Sequence, residues 1–113
     1  MGAGVNGATS RRKGNQAEVD VCKTLRQAGW DAVTSRAARG GFQAGEDIVT
    51  NFPASIEVKN HVKMDLAGWW KQAVSQAGDK PAIVVHKRVG KASPEEWWVT
   101  MDMATLLRLV GKP

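Results

Sequence analysis

The chain is short of several residue types, and each shortage closes a route. A single cysteine, Cys22, in 113 residues permits no internal disulfide. Two histidines beside that lone cysteine are too few for a zinc site built from those ligands. The longest apolar run, residues 82–85, is far too short to span a bilayer. The opening residues, Met-Gly-Ala-Gly-Val-Asn-Gly, lack the basic-then-apolar order of a secretory signal, so the expectation is a cytosolic protein. No internal repeat is visible.

What is present fits one small globular domain. Hydrophobic residues make up 42% of the chain and charged residues 24%. The expected organisation is a flexible basic arm over residues 1–14, ending in Arg11, Arg12 and Lys13, followed by a single domain over residues 15–113. The arm's basic end could touch phosphates or be a solvated tail. A net charge of +5 makes polyanions the natural partners, although a basic surface also serves solubility.

The chemistry concentrates in residues 45–60. Two apolar runs, Ile48-Val49 and Ile56 to Val58, flank turn-forming Asn51, Pro53 and Ser55, and the pattern predicts a β-hairpin. Side chains alternate along a strand, so Glu57 and Lys59 share one face while Ile56 and Val58 share the other. A hairpin folded about Phe52 sets Asp47 opposite Glu57. Those charges suit the wet side of a hairpin; gathered in one place, the two carboxylates would instead repel unless a cation joined them. Oxygen ligands of this kind match Mg2+, and a neighbouring lysine could orient or deprotonate a water or steady charge on a phosphorane. The combination points to metal-dependent phosphodiester hydrolysis.

The flanking segments supply more candidates. Residues 15–28 have helical periodicity through Val21, Cys22, Leu25 and Ala28, with Gly29 as a stop. Glu18 either completes a capping box with Asn15 or, three residues before Val21, projects from the inward stripe. A strand is expected over residues 30–37, then a loop with Arg36, Arg39, Gly40 and Gly41, where glycine admits close backbone approach and arginine grips phosphate. Residues 61–78 read as a helix with an apolar stripe including Trp69, Trp70 and Ala73, and either Gln72 or Gln76 could reach the site or border the core. Pro81 opens a buried strand that ends at His86 and Lys87. Residues 96–101 form another strand, and Asp102 caps a last helix.

With these residues in place, the chain resembles the PD-(D/E)xK nuclease superfamily, and within it the archaeal-type and phage Holliday junction resolvases. The resemblance rests on Glu18, Gly45-Glu46-Asp47, Ile56-Glu57-Val58-Lys59 and Gln72, in that order. It implies a restriction-endonuclease-like α/β fold, a mixed central β-sheet flanked by helices in the order αβββαββα. It also implies that Asp47, Glu57 and the Val58 carbonyl bind Mg2+, with Mn2+ able to substitute, and that Glu18 completes the shell. Lys59 would act on the attacking water, and Arg36, Arg39, Gly40, Gly41, Gln72, Lys87 and the basic arm would contact DNA. Resolvases of this kind are homodimers that make paired cuts in four-way junctions. Glu46 stands where the pattern has proline. Alternatives are a VRR-type or other small phage nuclease acting on flaps, nicks or duplex ends, an inert DNA-binding module, and a tryptophan-rich protein adaptor.

Overall fold

The computed structural model describes residues 3–39 and 47–113. Its elements are α1 (Ala3–Gln27), β1 (Ala32–Thr34), α2 (Ser35–Arg39), β2 (Ile48–Thr50), β3 (Ser55–Lys59), α3 (Leu66–Ala77), β4 (Ala82–His86), a 3-10 turn (Pro94–Glu96), β5 (Trp98–Thr100) and α4 (Met103–Val110). The fold is α/β, with a mixed sheet between helices, as expected. Among the described residues no helix is long and apolar enough to cross a membrane.

The sheet is centred on β4, whose five residues are all buried. It pairs in parallel with β3, matching Glu57 to Val84 and Lys59 to His86, and antiparallel with β5, matching His86 to Trp98. The β3–α3–β4 connection is therefore the parallel crossover that the sequence suggests. Strand alternation sends the two faces of this sheet into separate cores. Ile56, Val58, Ile83 and Val85 pack with Ala17, Val21 and Cys22 of α1, whereas Ala82 and Val84 pack with Trp69, Ala73 and Ala77 of α3. The sheet is thus the middle of three layers.

Local signals set most boundaries. Asp65 caps α3 by accepting from the Gly68 N–H, and Gly78 ends that helix at φ 63°, a conformation costly for any residue with a Cβ. Asp102 caps α4 by accepting from the Thr105 N–H at 2.8 Å.

Four expectations need correction. First, β2 and β3 do not form a hairpin. β2 pairs antiparallel with β1, while β3 pairs with β4. The connection is held to the β1 side instead: Asn51 Oδ1 accepts from the Asp31 N–H, and Phe52 packs edge-on against Trp30 with centroids 5.0 Å apart. Second, α1 starts at Ala3 and runs through the stretch read as an arm, so Asn15 is interior to a helix and forms no capping box with Glu18. The Asn60 side chain ties this segment down by donating to the Lys13 carbonyl. Third, the strand expected over residues 30–37 is three residues long and turns into α2, where Thr34 Oγ1 accepts from the Ala37 N–H. Fourth, residues 94–96 form a 3-10 turn, leaving Trp97 outside β5 but buried, with its indole N–H donating to the Lys91 carbonyl at 2.7 Å.

Ile56 is 1% exposed, whereas Val74 on α3 is 48% exposed. Ile56→Ala is expected to cost about 3 kcal/mol and Val74→Ala well under about 1 kcal/mol, measured by urea denaturation with unchanged slope.

Candidate active site

The site follows from the free edge of β3. Odd-numbered residues of this strand bond inward: Ser55 N–H donates to the Pro81 carbonyl, and the Lys59 carbonyl accepts from Lys87 N–H at 2.9 Å. Even-numbered residues consequently point away from β4, and the Val58 N–H donates outward to Asp47 Oδ2 at 2.8 Å. In an extended strand the N–H and C=O of one residue lie on the same side, so the Val58 carbonyl faces this edge too. Asp47 therefore reaches Glu57 without a strand ladder between β2 and β3.

A cavity of about 290 Å³ opens along that edge. Glu18, Gly14 and Lys13 line it from α1, Gln72 from α3, and Asp47, Glu57, Val58 and Lys59 from the strand region. Lys59 Nζ lies 3.1 Å from Glu57 Oε2 and donates to Gln72 Oε1 at 2.6 Å. Gln72, not Gln76, is thus the glutamine lining the cavity. Beside Glu18, the Arg36 guanidinium of α2 sits 3.7 Å from its carboxylate and donates to Asn15 Oδ1 at 2.5 Å.

The other sequence candidates fall elsewhere. Arg11 and Arg12 are exposed on α1 and line a shallow groove with Asn15 and Gln16. Lys87 lies beyond β4 with its ammonium 5.4 Å from the Trp97 ring centroid, outside the carboxylate cavity. Gly40, Gly41, Gly45 and Glu46, like the Arg39 side chain, lie outside the described residues. Asn60, His61 and Val62 also line the cavity and were not singled out from sequence. Their signal was position: they directly follow Lys59 at the carboxyl end of a parallel strand, where open α/β sheets bind ligands.

Glu57 is 4% exposed, so its face of β3 is not a wet hairpin surface. Burial, with Asp47 adding repulsion, pushes the Glu57 carboxyl up to about 7. Glu18 is likewise raised to about 7, by burial first and then by Asp47, against the opposing pull of Arg36. Burial also raises Asp47, offset by the Val58 N–H and by Lys59.

This donor set fits a hard divalent cation. The ligands are oxygens, and the carboxylates are short of positive charge. Among the described residues no three His, Cys, Asp or Glu form a ready-made metal cage. An ion here would depend on the Val58 carbonyl and water besides Asp47 and Glu57, which is the habit of Mg2+.

A family model described as "Phage putative PDDEXK endonuclease" matches residues 9–110. The chain belongs to this family. It is thus a PD-(D/E)xK nuclease family member, and the matched stretch contains the cavity residues Glu18, Asp47, Glu57, Val58 and Lys59. No curated protein and no solved structure matches the chain.

The raised carboxyls set a pH dependence in this nuclease. Glu18 and Glu57 have folded values of about 7 against 4.5 unfolded, so the metal-free folded state holds protons that the unfolded state releases. Their contribution to stability is complete below 4.5 and disappears as pH rises through about 7. The melting temperature in EDTA is expected to fall by roughly 5 °C between about pH 5 and pH 8. Glu57→Gln is expected to flatten the fall, and millimolar Mg2+ to reverse it at the alkaline end.

Proposed function

We propose that the protein is a metal-dependent structure-selective DNA endonuclease, acting on four-way junctions and hydrolysing phosphodiester bonds within the cavity at the β3 edge. The observation that carries this is the Asp47 to Val58 bond, which sets Asp47, Glu57 and an outward backbone carbonyl along one strand edge with Lys59 beside them.

Asp47, Glu57 and the Val58 carbonyl would hold Mg2+ or Mn2+. When bound, such an ion neutralises phosphate charge and makes a water more acidic. Lys59, anchored between Glu57 and Gln72, acts on the attacking water and on charge that builds at phosphorus as the opposite P–O bond breaks. Glu18 orients water from the α1 side, and Arg36 keeps it in place. Lys13 at the cavity mouth and the exposed Arg11 and Arg12 extend a positive approach for the DNA backbone.

A homodimer suits a two-fold junction. Support comes from α4, where Met103, Leu106, Leu107 and Val110 recur at helical spacing and all remain exposed. The second reading, a nuclease for flaps, nicks or duplex ends, needs no dimer. Junctions labelled on each arm distinguish the two: paired symmetric cuts support resolution, and cuts only at flaps or ends reject it.

Glu57→Ala is expected to retain DNA binding in a gel shift while Mg2+-dependent cleavage falls by about 10²–10³ or more. Lys59→Ala should act similarly, and Gln72→Ala should cost about 10–100-fold. Unchanged cleavage by Glu57→Ala would remove the carboxylate cavity from the reaction.

A further inference from the structure

A second cavity of about 300 Å³ adjoins the first, sharing His61 and Val62 with it. We propose that it receives an unpaired base of the DNA strand whose phosphate lies in the carboxylate cavity, so that the enzyme reads single-stranded character beside the cut. This rests on the nuclease reading and specifies its substrate.

The first support is position. Lys59, His86 and Trp98 are matched in register across β3, β4 and β5. Neighbouring strands are about 5 Å apart, so Trp98 stands roughly 10 Å from the Lys59 strand, on the same face of the sheet. A strand held at the carboxylates thus passes this cavity with a neighbouring nucleotide.

The second support is chemistry. Trp98 is large, aromatic and 55% exposed. One side of its ring already carries the Arg88 guanidinium, 4.6 Å from the centroid, and Arg88 is pinned by donating to the Glu96 carbonyl at 3.0 Å. An indole with a stacked guanidinium is a stiff platform for a nucleobase. Behind it the aromatic rings are continuous: His86 meets Trp98 edge-on, Trp69 packs on His86, and His61 stacks on Trp69 with centroids 5.7 Å apart. This run joins one cavity to the other.

The third support is charge. Lys87 and Arg88 line the cavity, and none of its lining residues is acidic. An apolar floor with a cationic rim suits a base attached to phosphates better than an apolar peptide. Val62 and Val89, 89% and 91% exposed, would close on the base edges.

The test compares wild type, Trp98→Ala and Trp98→Phe, each checked for an unchanged melting temperature. Binding is read by anisotropy, in EDTA, on a short labelled oligothymidine and on an abasic deoxyribose phosphate chain of equal length. Trp98→Ala should weaken oligothymidine binding by about tenfold or more, and Trp98→Phe should recover most of it. On the abasic chain the three proteins should bind alike. Equal binding of oligothymidine by wild type and Trp98→Ala overturns the proposal and leaves the cavity to a protein partner. The same loss on both probes also overturns it, because the ring would then act without the base. Cleavage is read separately with Mg2+. Ring-dependent binding without cleavage of any DNA defeats the nuclease reading alone, whereas cleavage with ring-independent binding defeats the base pocket alone.

Discussion

The hydrogen bond from the Val58 N–H to Asp47 Oδ2, 2.8 Å long, is the contact on which the site depends. An exposed strand edge presents unpaired donors and acceptors, which proteins normally cover or blunt. Here a carboxylate covers one donor. In the same stroke it brings an acid from the start of β2 to an acid in the middle of β3, although the two strands belong to separate sheets. The carbonyl beside that donor cannot be satisfied by Asp47, which is an acceptor.

That arrangement is electrostatically unfavourable without a cation. Three acids line one cavity, all with carboxyls raised chiefly by burial. Lys59 and Arg36 compensate in part, and each is itself tied to a neutral partner, Gln72 and Asn15 respectively. Such a cluster is poor for stability, and buried acids with raised carboxyls gathered in one cavity have affinity for positive charge. The hydrophobic layers absorb the cost: Ile56 and Val84, on opposite faces of adjacent strands, are almost fully buried.

The parallel pair β3–β4 explains why functional groups gather at one end of the sheet. Both strands finish at the same side, so Lys59 and His86 emerge together, and antiparallel β5 adds Trp98 to the row. His86 is buried, accepts or donates to Thr100 Oγ1 at 2.8 Å, and is held toward its neutral form by desolvation. It lies in register between Lys59 of β3 and Trp98 of β5.

Much of this was legible in residues close together in the chain. The alternation of Ile56-Glu57-Val58-Lys59, the β-branched run of β4, and the caps Asp65, Gly78 and Asp102 all act over a few residues, and each behaves as its local chemistry dictates. The meeting of Asp47 with Glu57 was also foreseen, but through a hairpin that does not exist. Which edge a strand bonds to is settled by packing between distant segments, and Phe52 against Trp30 turned the chain toward β1. The choice of Gln72 over Gln76, the interior place of Asn15 in α1, and the entry of Asn60 and His61 into the cavity were decided the same way. Periodicity and capping are short-range and can be read along one dimension, whereas strand pairing and the reach of a long polar side chain are fixed only when the layers close.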